Sequence, residues 1–127
     1  PTSIFRLKKD LIKAIKIFKK KKLDLLVSTH EAEYNPYFSI LEKKGSFYKL
    51  SKTLRREPGS RQSAPEAYEV NTIVWIYSRR AIMELAKRIP SKTIIFKTSK
   101  ERSIDIDNQN DINLINFYLK NYEKKKK

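Results

Sequence analysis

The sequence predicts an α/β fold, on three observations. An amphipathic helix over Leu7–Lys22 runs directly into a short apolar segment, Leu23-Asp24-Leu25-Leu26-Val27-Ser28, which reads as a buried strand. The most hydrophobic run of the chain, Val70–Tyr77 (VNTIVWIY), reads as a central strand and is followed at once by a helical pattern. A further short strand, Thr93–Lys97, precedes a last helix near the C-terminus. Strands separated by helical segments are the pattern of a layered α/β domain.

Each element follows from its residues. In the first helix Leu7, Leu11, Ile12, Ile15 and Phe18 recur at i, i+4, i+5, i+8 and i+11, and lysines cover the opposite face. Asn35-Pro36 marks a turn. Tyr37–Leu41 and Ser46–Leu50 flank Glu42-Lys43-Lys44-Gly45, a pattern that predicts a β-hairpin. Thr53–Pro65 is polar, contains Pro58-Gly59 and reads as an exposed loop or arm. Ser78 is placed to cap a helix over Arg79–Ile89, which Pro90 closes. Ser103–Asp107 is a strand end or loop. Asp107 or Asn108 caps a helix from Asp111 to Asn121, with Ile112, Ile115, Phe117 and Leu119 mostly inward.

Composition excludes several classes. The length of 127 residues fits one domain. The absence of cysteine excludes a disulfide scaffold, a cysteine-ligated zinc site and a thiol nucleophile. No apolar run approaches the ~18–20 residues of a membrane span and there is no secretory segment, so the expected location is cytoplasmic. The net charge of +15 points either to a stand-alone basic module that binds nucleic acid or another anion, or to lysine filling solvated faces. Lysines outnumber arginines 21 to 8 and include the runs Lys19–Lys22 and Lys124–Lys127. Arginine is the residue of two-point base and phosphate contacts, so this balance favours the solvated-face reading and makes a nucleic-acid partner the lesser expectation. The only two glycines, Gly45 and Gly59, leave no glycine-rich phosphate loop in the chain. His30, the only histidine, reads as incidental, and Trp75, Tyr77 and Phe96 read as core.

The residues with chemistry to offer lie near the end of the chain. Asp105 and Asp107 stand at i and i+2, which in an extended segment puts both carboxylates on one side. Two hard oxygen ligands suit Mg²⁺, which commonly takes one or two carboxylates with phosphate oxygens. The same residues also suit a helix cap.

Three segments then point one way: Pro1-Thr2-Ser3-x-x-Arg6, Arg61-Gln62-x-Ala64-Pro65-x-x-Tyr68-x-x-Asn71, and Glu101-Arg102-Ser103-Ile104-Asp105-Ile106-Asp107. Their order and spacing, with Leu25-Leu26-Val27-Ser28 and Asn35-Pro36 between the first two, resemble the acylneuraminate cytidylyltransferase family, the CMP-sialic acid synthetases. The resemblance covers the chain from Pro1 to about Leu119. It implies a Rossmann-like nucleotidyltransferase domain with a protruding hairpin or arm, spanning residues 1–122 and followed by a basic tail at 123–127. It implies transfer of CMP from CTP to a nonulosonic acid such as N-acetylneuraminate, with release of pyrophosphate, dependence on Mg²⁺, and a homodimer.

By residue, the resemblance assigns Asp105 and Asp107 to metal binding and catalysis. Arg61 and Gln62 would meet the sugar substrate, the Arg61 guanidinium suiting a carboxylate in two-point contact. Asn71 would contact the sugar or fix the start of its strand. Thr2, Ser3 and Arg6 would lie at the carboxyl edge of the sheet, near substrate, although Thr2 and Ser3 equally suit a helix cap. Tyr68 is expected to pack. The chain departs from the family at Ile4, where proline is usual, and at Ser63, where aspartate is common. It also departs at Glu69, Val70 and Thr72, where many members read Arg-Pro-Asn-Gly around the asparagine, and at Trp75, often tyrosine. The family's CTP-phosphate loop has no counterpart here. The expectation is therefore a C-terminal part lacking about a hundred residues, or roughly three βαβ units, and inactive alone.

Overall fold

The computed structural model describes residues 4–124. The chain is a mixed α/β structure whose backbone divides into two compact units: one built from the chain up to His30 and from Val70 onward, the other from Glu31–Glu69.

The first unit opens with α1, Lys8–Lys21. Leu7 occupies the N-cap in an extended conformation and gives no side-chain cap. Asp10 in the first turn and Lys19, Lys20 and Lys21 in the last each complement the helix dipole. The inward face is Leu11, Ala14, Ile17 and Phe18. This corrects the expected stripe, because Ile12 and Ile15 remain 46% and 44% exposed. The buried face is centred on Ala14, whose small side chain lets the helix lie close to the sheet. Lys8, Lys9, Lys13 and Lys16 lie on exposed surface.

α1 ends at Lys22, which is left-handed with φ 48° and ψ 53°. A side chain with a Cβ is strained there, and glycine is the usual solution. Lys22→Gly is expected to raise stability by about 0.5–1 kcal/mol, read as a higher thermal midpoint. An unchanged or lowered midpoint would show that Lys22 contributes something that offsets the strain.

The sheet has the order β4-β1-β5. β1 is Leu25–Glu31 and is buried throughout except at Glu31. β5, Thr93–Lys97, runs parallel to it, from Leu25 opposite Thr93 to Thr29 opposite Lys97. β4, Tyr68–Tyr77, runs antiparallel to β1: the Asp24 carbonyl accepts from the Ser78 N–H at one end, and Ser28 meets Asn71 further along. The strand expected at the centre, Val70–Tyr77, is thus a flanking strand, and β1 is central. A central strand is buried on both faces, and β1 has that property even at its polar residues Ser28, Thr29 and His30, whereas β4 carries exposed Glu69 and Val70 near its start. The core between α1 and the sheet is Ala14, Leu23, Leu26, Ile73, Val74 and Phe96. Trp75 and Tyr77 are half-buried and stack on each other with ring centroids 6.0 Å apart, so of the three aromatics only Phe96 is core.

Buried Asp24, just ahead of β1, receives the Arg80 guanidinium at 2.9–3.3 Å and the Ser78 hydroxyl at 3.4 Å. Ser78 also accepts from the Ala81 N–H at 3.0 Å, the expected capping position. The helix it starts is shorter than expected. It widens to i→i+5 bonding over Ala81–Leu85 and stops at Ala86, which is left-handed with φ 45°. Only Ala81 of that turn is buried, so apolar packing does not hold the helix together as far as Ile89.

α2 spans Gln109–Lys124, beginning earlier than expected and running two residues into the segment read as a basic tail. Of its expected inward side chains, Ile115 is buried, whereas Phe117 is 60% exposed and Ile112 and Leu119 lie largely on the surface. No helix among the described residues is long and apolar enough to cross a membrane.

The second unit holds a hairpin of β2, Leu41–Lys44, and β3, Phe47–Leu50, paired from Leu41↔Leu50 to Lys44↔Phe47. The expected turn residues Glu42, Lys43 and Lys44 are strand. The turn is Gly45-Ser46, and Gly45 at φ 64° supplies the positive φ that a two-residue turn needs at its first position. Tyr37–Ser39 is a turn rather than strand, since the Asn35 carbonyl accepts from the N–H groups of Phe38 and Ser39. Residues 53–60 carry no helix or strand, followed by a 3₁₀ turn at Arg61–Ser63.

Candidate functional site

The parallel pair β1 and β5 ends at one edge of the sheet, and antiparallel β4 begins there. Open α/β sheets bind ligands beyond their carboxyl edge. Here that edge is crowded with polar side chains that the sequence spaces far apart.

At its base lies buried Asn71. Its Oδ1 accepts from the Ser28 hydroxyl at 2.5 Å and from the Ile73 N–H at 3.2 Å. Its Nδ2 donates to Thr98 Oγ1 at 2.9 Å and to Ser103 Oγ at 2.8 Å. An amide has two donors and two acceptor sites, and all four are used within the protein. Asn71 is therefore a strut joining β1, β4 and the segment after β5, and its amide is not left over for a substrate. Ser28 also accepts from the Val74 N–H at 2.8 Å, and Thr98 donates to the Thr29 carbonyl at 3.1 Å. The polar residues Ser28 and Thr29 at the end of an apolar strand were the sequence signal for this network.

The segment after β5 turns through a 3₁₀ helix at Lys100–Arg102 and then runs without regular structure to Asp107. It is pinned at its start by two anchors. Ser103 is held by Asn71 and donates to the Ser99 carbonyl at 3.0 Å. Arg102 reaches back to the N-terminal segment, donating to the Phe5 carbonyl at 3.1 and 3.3 Å and pairing with the Asp10 carboxylate. Glu101, on the surface, has its carboxyl held below the usual range by its own backbone N–H and by the Ser99 hydroxyl.

Asp105 sits in the middle of this segment and accepts from the Thr72 hydroxyl at 2.6 Å. The Thr72 carbonyl in turn accepts from the Arg6 guanidinium at 3.0 Å. Arg6, Thr72 and Asp105, drawn from three separate parts of the sequence, thus form one hydrogen-bonded chain. Asp107 is exposed, and its carboxylate has no hydrogen bond or ion pair among the described residues. The helix cap is Asn108, not Asp107: Asn108 Oδ1 accepts from the N–H groups of Asn110 and Asp111, and Asp111 Oδ2 accepts from those of Asp107 and Asn108. The capping alternative for the Asp107 side chain therefore falls to its neighbour.

Among the described residues no group of three or more His, Asp or Glu side chains gathers around a common point. Asp105 and Asp107 offer carboxylate oxygens, the ligand type of a cation that takes its other ligands from phosphate and water.

Arg61 and Gln62 are exposed on the second unit, in the 3₁₀ turn closed by reciprocal bonds between Ser60 and Ser63. Arg61 donates to the Ala32 carbonyl at 3.4 Å. Thr2 and Ser3 lie outside the described residues. Half-buried Tyr68 bonds through its hydroxyl to Glu66. Thr72 was noted only as a departure from the family pattern, and Arg102, Ser103 and Asp10 were given no role by sequence reasoning. Arg102 and Ser103 stood inside a quoted motif, but nothing in a linear sequence pairs Arg102 with Asp10.

No protein-family model matches the chain. The chain is 27% identical over 111 residues to the post-translational flagellin modification protein B of Campylobacter coli, a match covering 87% of this chain and 46% of that protein. It is 29% identical over 94 residues to the CMP-N,N'-diacetyllegionaminic acid synthase of Campylobacter jejuni subsp. jejuni serotype O:2 (strain ATCC 700819 / NCTC 11168), covering 74% of this chain and 39% of that protein. The chain thus spans less than half the length of these curated relatives. The resemblance carried by the sequence motifs is borne out by these matches: the chain is similar, at modest identity and over most of its own length, to proteins of the CMP-nonulosonic acid synthase family.

Proposed function

We propose that this chain supplies the metal-binding and sugar-binding part of a CMP-nonulosonic acid synthetase with a Rossmann-like nucleotidyltransferase fold. The observation that carries the reading is the chain Arg6–Thr72–Asp105, which joins the first and last motif segments through the residue after Asn71, at the carboxyl edge of the sheet. The reaction is transfer of CMP from CTP to the anomeric hydroxyl of a nine-carbon sugar acid. The hydroxyl oxygen bonds to the α-phosphorus, the bond from that phosphorus to the bridging oxygen breaks, pyrophosphate leaves, and the hydroxyl proton passes to solvent. The name of the Campylobacter jejuni relative makes N,N'-diacetyllegionaminic acid the first acid to try.

Asp105 and Asp107 would hold Mg²⁺, which when bound neutralises charge on the phosphates and the departing pyrophosphate. Asn71 and Arg102 fix the segment that carries both carboxylates. The Arg6 guanidinium spends one N–H on Thr72 and has others to offer an anionic group. Arg61 and Gln62 keep the role the resemblance gives them, meeting the carboxylate and polar groups of the sugar acid. The working enzyme is a homodimer and acts in the cytoplasm, where CTP is available.

The test is pyrophosphate release by the protein encoded by the complete reading frame, with CTP, Mg²⁺ and N,N'-diacetyllegionaminic acid. Release is expected, and Asp107→Ala is expected to lower it by about a hundredfold or more, since loss of even an outer support of a metal costs ~10–100-fold. No CTP-dependent release with any nonulosonic acid would overturn the reading. Tight, salt-sensitive nucleic-acid binding in its place would move the function to the lysine-rich surface.

A further inference from the structure

We infer that Thr72 is a positioning residue that sets the orientation of the Asp105 carboxylate toward the cation; the inference rests on the proposed role of Asp105 and Asp107 as its ligands. The Thr72 hydroxyl donates to Asp105 Oδ1 at 2.6 Å across 33 residues of sequence. Thr72 is itself fixed from both sides. The residue before it, Asn71, is locked by four hydrogen bonds, and its own carbonyl is gripped by Arg6 at 3.0 Å. A β-branched side chain on extended backbone has a restricted χ1, so the hydroxyl is presented in a set direction.

The segment carrying Asp105 is anchored ahead of it, at Arg102 and Ser103, and beyond it, at the Asn108–Asp111 cap. Between those anchors it has no regular structure, so the direction of the carboxylate has to be set by a side-chain contact. A carboxylate has about four acceptor sites, and the Thr72 hydroxyl takes one of them at Oδ1. Carboxylates that hold metals are themselves commonly held by such outer donors.

The experiment titrates the complete protein with Mn²⁺ as a spectroscopically visible stand-in for Mg²⁺, following free Mn²⁺ by electron paramagnetic resonance and confirming the site by competition with Mg²⁺. Thr72→Val keeps the shape and removes the donor, and it is expected to weaken Mn²⁺ binding about tenfold. Thr72→Ser keeps the donor and is expected to stay within about twofold of the parent. A Thr72→Val protein that binds as the parent does, or a Thr72→Ser protein as weak as Thr72→Val, would overturn the inference. Asp105→Asn and Asp107→Ala separate it from its foundation. If both bind Mn²⁺ like the parent, the ligand assignment fails and the inference with it. If both lose the ion while Thr72→Val retains it, only the inference fails.

Discussion

Asn71→Leu is expected to destabilise the protein by about 3 kcal/mol, because each buried donor left unpaired costs ~1–3 kcal/mol. The side chain is buried and its four bonds end on four different residues. Leucine has the same number of side-chain heavy atoms in the same branching, so no cavity opens and the direct loss is one of hydrogen bonds. The Ile73 N–H, itself in the core, would lose its acceptor, and Ser28 would have to turn to the Asn71 carbonyl at 3.4 Å. Thr98 and Ser103 would keep their own donated bonds, to the Thr29 and Ser99 carbonyls, but lose the amide that draws them together. For a chain of this size the change corresponds to a fall in thermal midpoint of roughly 10–15 °C. Asn71→Asp should be worse than Asn71→Leu, since it replaces two donated bonds by a buried negative charge. The same variants should lose the CMP transfer proposed above, measured on the complete protein, because Ser103 leads directly into the segment bearing Asp105 and Asp107. A midpoint within about 2 °C of the parent for Asn71→Leu would show that the network contributes little.

That network also marks the limit of what a sequence conveys. The strands β1 and β5 and helix α1 were legible because burial on one or both faces writes a repeating apolar pattern. The rank of the strands within the sheet was not, since β4 has the more apolar run and yet lies at the side. Hydropathy reports how much a strand buries, not which neighbours it pairs with. The end of the helix after Ser78 was misplaced because nothing in Ala86 announces a left-handed residue. In α2 the apolar residues Ile112, Phe117 and Leu119 suggested burial that the described fold does not provide. Of the candidate site, Asp105, Asp107 and Arg6 stood in the motifs that the sequence offers. The residues that hold them in place were not legible, because Thr72 and Asp10 reach their partners only across 33 and 92 residues of chain. Spacing rules read neighbours within an element, and these contacts join elements.

Arg102 is the second place where one substitution should cost most. Its side chain is 17% exposed and that of its partner Asp10 13%, so neither end of the pair is well hydrated. The guanidinium divides its donors between the Asp10 carboxylate and the Phe5 carbonyl, a fork that lysine cannot reproduce. Arg102→Met keeps most of the aliphatic bulk and leaves Asp10 facing a gap with its charge uncompensated. Breaking a buried pair from one side costs ~3–5 kcal/mol, and the residual water access here lowers the expectation to about 2–3 kcal/mol. Asp10 is also in the first turn of α1, where a negative charge favours the helix, so its own removal loses a second, smaller contribution. A double-mutant cycle separates the two. Arg102→Met and Asp10→Asn should each destabilise, and together by less than their sum, with a coupling of about 1–2 kcal/mol in urea unfolding. Arg102→Lys should fall between the parent and Arg102→Met, retaining the charge and losing the carbonyl contact. Additive single effects would mean that the pair is a surface contact of little worth. Coupling of the expected size would mean that the segment carrying Asp105 and Asp107 is tied to the start of α1 by one ionic clamp. In that case CMP transfer should weaken in Arg102→Met well below the temperature at which the protein unfolds.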